Sequence, residues 1–146
     1  MPDRPAAEAF IDAYRRTFES FDVDAITGCF TFPCQVVGQA DGVGVASVPA
    51  PEAWRPQVER IVGAYRLLGV RSAAVESMRI VEVTPGIAHA IVRWALQALD
   101  GSPVYAFTAS YTLVDTSGGP RIAAIAHDEG PKLQFALARA QAGRPA

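Results

Sequence analysis

The sequence lacks the features that are typical of nucleic-acid-binding and membrane proteins. It contains a single lysine, Lys132, its arginines are scattered, and its formal net charge is -2. Because phosphate neutralisation needs clustered positive charge, nucleic acid is not expected as a partner. No apolar run approaches the roughly 20 residues that cross a bilayer, and the first residues have no apolar core of a signal peptide. We therefore expect a cytoplasmic protein that does not contact a membrane.

The chain is also poor in cysteine and histidine, with two of each. Cys29 and Cys34 are spaced C-x4-C, whereas His89 and His127 lie far from them in the sequence. This spacing is not one of the usual zinc or redox motifs. We expect two reduced structural thiols, no metal ion and no cofactor.

The rest of the composition is that of a globular protein, since half of the 146 residues are hydrophobic and 19% are charged. A chain of this length is expected to form one domain over residues 1–146. In its first half, apolar residues recur mainly at helical spacing. The predicted elements there are a helix over residues 6–20, a short helix capped by Asp22 or Asp24, a hairpin around Asp41 and Gly42, and a long helix ending at Gly69 with Pro56 in its first turn.

From Val70 onward the pattern changes to strands. Four long segments rich in β-branched and aromatic residues are separated by short turns, which predicts an antiparallel meander. The last strand is predicted to end at Gly130 and Pro131, before a C-terminal helix over about residues 131–142. Because the helices precede the sheet, the fold class is α+β, with a core over about residues 6–130. A twisted sheet that curls over helices is expected to enclose an apolar pocket.

Two segments carry a resemblance to a known superfamily. "FDVDAITGCF" (residues 21–30) follows the aromatic residues of the first helix, and "SYTLVDTSGGPRIAAIAHDE" (residues 110–129) covers the last two strands. Over roughly residues 6–130 the chain resembles the nuclear transport factor 2-like superfamily, especially its SnoaL-like and ketosteroid isomerase-like members. The resemblance implies a cone-shaped α+β barrel with a central pocket for a small hydrophobic ligand, and commonly a homodimer formed through the outer face of the sheet.

The resemblance to ketosteroid isomerases also implies roles for particular positions. Tyr14 falls where those enzymes have a tyrosine that donates to an oxyanion. Their general-base aspartate corresponds to Gly38, and their second carboxyl group to Ala109 or Ser110. With neither carboxyl group present, steroid isomerase activity is not expected. Limonene epoxide hydrolases and scytalone dehydratase, of the same superfamily, resemble the chain only in outline.

The last strand supplies the main candidate for acid–base chemistry. Alternation places Ile125, His127 and Glu129 on one face, but both faces are apolar, so the pattern alone does not choose the inner one. We expect helices to cover one face and a partner subunit the other. The hypothesis is that His127 faces the pocket and acts with Tyr14. The alternative is a histidine at a strand end, bonded to acidic neighbours or solvent.

His89 and Arg93 are expected on the outer, dimer-facing side of their strand, because the opposite face, which carries Trp94, is typical of a core. Two functions remain open: a cofactor-independent SnoaL-like isomerase, cyclase or dehydratase acting on a small hydrophobic cyclic or carbonyl compound, or a non-catalytic ligand-binding or dimeric interaction module. The residues expected to line the pocket in either case are Trp54, Tyr65, Trp94, Phe107, Tyr111 and Glu129.

Overall fold

The computed structural model describes residues 4–40 and 42–143, which form four helices and six strands. The hairpin turn expected at Asp41 therefore falls on a residue outside the described ones. The elements are α1 (Arg4–Glu19), α2 (Val23–Thr27), β1 (Phe30–Ala40), β2 (Gly42–Val48), α3 (Pro51–Leu68), β3 (Val70–Thr84), β4 (Ile87–Ala98), β5 (Pro103–Thr116), β6 (Gly119–His127) and α4 (Glu129–Ala142).

The six strands form one sheet in the order β2-β1-β6-β5-β4-β3. Strands β3 to β6 pair with their neighbours in antiparallel fashion, which confirms the predicted meander, whereas β1 lies parallel to β6. The sheet is curved and unclosed, and helices α1, α3 and α4 contact it. The predicted α+β fold class is confirmed.

Alternation along β4 separates the inner face of the sheet from its outer face. Ala90, Val92 and Trp94 point toward the helices and are buried, as the sequence predicts. His89 and Arg93 lie on the opposite face, where Arg93 pairs with an exposed glutamate of β3. The core is therefore built between the inner face of the sheet and the apolar sides of α1 and α3.

The inner face of β6 does not follow simple alternation. Ile122 lies opposite Leu113 and Ile125 lies opposite Tyr111, and directly opposed residues share a face of the sheet. Ile122 and Ile125 are therefore neighbouring inward residues that lie three positions apart, because the register shifts next to Thr112. This β-bulge partly explains why both faces of the β6 sequence look apolar.

Helix α4 begins earlier than the sequence indicates. Asp128 occupies its N-cap position, Glu129 is its first residue, and Gly130 and Pro131 lie in its first turn. The strand end expected at these two residues is therefore wrong. Proline is tolerated in a first turn because its missing N–H would have no acceptor within the helix. Gly130 is required by a close approach, since a Cβ atom there would lie 2.6 Å from the carbonyl oxygen of Gln39.

The caps of α2 and α3 are the residues that the sequence predicts, but the position of one proline within α3 is not. Asp22 caps α2 by accepting the backbone N–H of Ala25 at 3.1 Å, and Gly69 ends α3 with a φ of 77°. Pro56 lies inside α3 and not in its first turn, because the helix begins at Pro51. None of the helices in residues 4–40 and 42–143 is long and apolar enough to span a membrane.

Candidate functional site

An apolar cavity of about 70 Å³ lies between α1, the end of α3, the start of α4 and the inner face of the sheet. Aromatic rings form much of its wall. The cavity is lined by six of the residues that the sequence predicts for the site, which are Tyr14, Tyr65, Trp94, Phe107, Tyr111 and Glu129. Tyr14 comes from the buried side of α1, and Trp94 and Phe107 are opposed residues of β4 and β5.

Glu129 is the acidic group in the cavity wall that is withdrawn from solvent. Its exposed fraction is only 8%, and the hydroxyl groups of Tyr65 and Tyr105 both donate to the same carboxyl oxygen, Oε2. Among the described residues, none donates to the other oxygen, Oε1. The described residues therefore hold this carboxyl group through one of its two oxygens.

Burial raises the pKa of Glu129 above its ordinary value, although the hydrogen bonds from Tyr65 and Tyr105 oppose the rise. Burial also raises the pKa of both tyrosines, and the neighbouring carboxylate adds to that effect. The phenol groups therefore keep their protons and act as donors. A carboxylate whose pKa is raised is a stronger proton acceptor than an exposed glutamate.

A second polar cluster faces the same cavity. The indole Nε1 of Trp94 donates to the hydroxyl oxygen of Tyr111 at 2.9 Å, and the ring of Tyr14 stands edge-on to that of Tyr111 at 5.6 Å. Burial raises the pKa of Tyr111, whereas hydrogen bonds from Trp94 and Tyr14 partly offset the rise. Because Tyr111 accepts hydrogen bonds from its neighbours, its own proton can be donated to a ligand.

Tyr105 is a site residue that the sequence pattern does not identify. The chain has four tyrosines, and all of them either line the cavity or bind Glu129. The spacing of Tyr105, Phe107 and Tyr111 on one face of β5 is a usable signal. It does not single out Tyr105, because the sequence predicts that α4 starts two residues beyond Glu129. In the structure α4 starts at Glu129 itself, and this earlier start brings the Glu129 carboxyl group to the Tyr105 hydroxyl group.

His127 lies on the inner side of the sheet but not in the wall of the cavity. It is opposite Ala109, and a Cβ atom at Gly38 would lie 3.5 Å from its ring. The imidazole thus adjoins both positions to which the resemblance to ketosteroid isomerases assigns carboxyl groups. Its Nδ1 accepts the backbone N–H of Glu129 at 3.2 Å, and burial lowers its pKa, which the nearby carboxylate of Asp128 opposes. A neutral imidazole in this position supports the start of α4.

Trp54 also lies outside the cavity wall, since its ring packs edge-on against Phe30 at 5.2 Å. Its Nε1 is the buried side-chain nitrogen that has no hydrogen-bond partner in the described part of the chain.

Cys29 and Cys34 are free thiols, and burial raises the pKa of both. Within residues 4–40 and 42–143, no cluster of three or more histidine, cysteine or acidic side chains could hold a metal ion.

The chain matches a known protein family. A sequence model of the family described as NTF2-like protein (DUF6841) matches residues 3–130. The chain belongs to this family. The NTF2-like superfamily that the sequence predicts is therefore confirmed. No curated protein matches the chain.

Solved structures show the same NTF2-like fold at low sequence identity. Aln2 from a Streptomyces species has 17% identity and a TM-score of 0.68, and the match covers 96% of this chain and 99% of Aln2. An NTF2-like protein with a cystatin-like fold from Novosphingobium aromaticivorans has 15% identity and a TM-score of 0.66, covering 86% and 80%. An NTF2-like protein of unknown function from Shewanella oneidensis has 10% identity and a TM-score of 0.66, covering 85% and 97%. At these identities the likeness concerns the fold.

Proposed function

We propose that the protein is a cofactor-independent acid–base enzyme, an isomerase, cyclase or dehydratase that acts on a small hydrophobic carbonyl compound. The observation that carries the proposal is the buried carboxyl group of Glu129, which is held by one oxygen and lies in the wall of an aromatic cavity. Glu129 takes the role of proton acceptor that the sequence-based hypothesis gives to His127. Tyr111 takes the role of donor to the ligand that the sequence-based hypothesis gives to Tyr14, whose own hydroxyl group donates to Tyr111.

The proposed step is a proton transfer next to a carbonyl group. Glu129 Oε1 accepts a proton from the carbon adjacent to the carbonyl, and the electron pair of that C–H bond moves to form an enolate. The hydroxyl group of Tyr111 donates a hydrogen bond to the enolate oxygen. In a β,γ-unsaturated substrate the enolate is conjugated, and return of a proton from Glu129 to its γ-carbon gives an isomer, so that neither a cofactor nor a second reactant is consumed. The proton held by Glu129 exchanges with solvent, so that in D₂O the substrate takes up deuterium.

The surroundings of Glu129 match the needs of such a step. A base must be strong enough to remove the proton yet remain ionised, and burial raises the pKa of Glu129 while two phenol donors oppose the rise. The apolar rings around it exclude water, which strengthens hydrogen bonds to the developing charge. His127 contributes indirectly, since its imidazole holds the backbone of Glu129.

The small volume of the cavity favours a second candidate, a non-catalytic ligand-binding module. About 70 Å³ is roughly half of a ~150 Å³ cavity that accommodates benzene. A ring-sized substrate must therefore displace side chains at the mouth or remain partly outside. A binding module would retain affinity for small apolar molecules without moving their protons.

Deuterium exchange distinguishes the two candidates even when the reaction product is unidentified. A panel of small cyclic ketones and enones is incubated with the protein in D₂O, and loss of the proton signal next to the carbonyl is followed by NMR. We expect exchange with the wild-type protein and a rate reduced about 100-fold or more in Glu129→Gln, since this is the usual contribution of a general base. Glu59→Gln, which removes an exposed carboxylate of α3, is the matched control and should retain the rate.

If Glu129→Gln retains the exchange rate, Glu129 is not the base. If the wild-type protein binds members of the panel but exchanges none, the non-catalytic candidate replaces the enzyme.

A further inference from the structure

The mouth of the cavity is formed by charged side chains, in contrast to its apolar interior. Arg15 and Glu19 come from α1, and Arg71 comes from the start of β3. Arg15 is already neutralised, since its guanidinium lies 3.0 Å from Glu19 and 2.9 Å from Asp12. Glu19 is likewise engaged through both oxygens, because its Oε2 accepts the backbone N–H of Ala73 at 2.8 Å. Neither side chain is available to pair with a ligand.

Arg71 differs from Arg15 in having no partner. It is exposed at the mouth, and its side chain forms no hydrogen bond or ion pair with any of the residues 4–40 and 42–143. Its planar guanidinium is thus free to bind an incoming group.

A second positive charge borders the mouth at Phe21. The ring of Phe21 lines the cavity, although its backbone has a φ of 58°, a left-handed conformation that is unusual for a bulky residue. The guanidinium of Arg66 lies over this ring, 5.1 Å from its centre, and pairs with no acidic side chain in the described part of the chain. The mouth therefore carries two guanidinium groups that are not neutralised by carboxylates.

We propose that the cavity binds a small molecule that combines an apolar ring with a carboxylate, the ring entering the cavity and the carboxylate pairing with Arg71. A planar guanidinium can hold a carboxylate through two parallel hydrogen bonds. The opposite orientation would bring the carboxylate of the ligand toward Glu129, where like charges repel in a medium of low dielectric constant. The inference rests on the proposed function, which places the reacting end of the ligand next to Glu129.

The test compares two ligands of the same shape and different charge. Phenylacetate and phenylacetamide are titrated with the protein, and their dissociation constants are obtained from ligand-observed NMR. We expect phenylacetate to bind the wild-type protein more tightly than the amide. Arg71→Gln should weaken phenylacetate about tenfold, as expected for a hydrogen bond between charged groups, and leave the amide unchanged. Arg79→Gln removes an exposed arginine on the outer face of the same strand and should change neither.

Equal binding of the two ligands to the wild-type protein, or unchanged binding of phenylacetate to Arg71→Gln, would overturn the assignment of Arg71. The same holds if neither ligand binds. These outcomes are independent of the proposed function, because deuterium exchange and its loss in Glu129→Gln decide that proposal without reference to Arg71.

Discussion

At Glu129, burial and hydrogen bonding act on the carboxyl group in opposite directions. Transferring an unpaired carboxylate into an apolar interior costs on the order of several kcal/mol, and two phenol hydroxyl groups offset part of that cost. Both donate to Oε2, so the carboxyl group is held through one oxygen, while the other accepts no hydrogen bond from the described residues. This asymmetry makes Glu129 the residue on which the proposed chemistry depends.

His127 should make folding stability depend on pH. Its pKa is lowered below the ordinary value of 6.5 in the folded protein, so the unfolded chain binds the proton first as the pH falls. The stability contributed by the neutral imidazole is therefore fully present above pH 6.5 and is lost as the pH decreases below it. The free energy of unfolding in urea is measured for the wild-type protein and for His127→Phe between pH 8 and pH 5. The difference between the two free energies should change as the pH falls below 6.5. A difference independent of pH would contradict the proposed neutral state of His127.

Single residues also show where the sequence is informative and where it is not. The aromatic positions around the cavity can be predicted because their spacing follows the helix and strand periods. The orientation of His127 cannot be predicted because both faces of β6 are apolar in the sequence. The β-bulge at Thr112 changes the phase of that strand, and a pattern with a strict period of two cannot detect it.

At the level of elements, the start of α4 determines the geometry of the site. Gly130 lets the helix approach β1 closely, which brings Glu129 over the sheet and within reach of Tyr65 and Tyr105. In the sequence, Gly130 and Pro131 resemble a turn, which is why the pattern predicts a later start for the helix. The start of α4 depends on the contact between Gly130 and the backbone of Gln39. These residues are distant in the chain, so a local sequence pattern cannot predict the contact.

Gly130→Ala tests this close approach. The new Cβ atom would lie 2.6 Å from a backbone carbonyl oxygen, so α4 must move and we expect a loss of about 1–3 kcal/mol in the free energy of unfolding. Gly63→Ala is the matched control, since nothing lies within 4 Å of its new Cβ atom. That variant lies inside α3 and should gain about 0.5–1 kcal/mol. Urea denaturation measures both, and equal effects would contradict the close packing of α4 on β1.

For the whole molecule, the sequence predicts the fold much better than the site. Six strands, the helices and the α+β class follow from local periodicity and turn residues, which act over short distances along the chain. The cavity depends on how α1, α3 and α4 meet over the sheet, and its acidic group comes from a helix end. The homodimer through the outer face of the sheet and the single domain over residues 1–146 stay predictions.

The raised pKa of Glu129 is a property of this whole arrangement, because three helices and the sheet together remove the carboxyl group from water. The most direct test is a ¹³C NMR titration of the glutamate carboxyl signals, in which Glu129→Gln identifies the signal of interest. We expect Glu129 to titrate above its ordinary value of 4.5, and still higher in Tyr105→Phe, which removes one of the two donors. Titration of Glu129 at or below 4.5 would contradict the account of a buried carboxyl group poised for proton transfer.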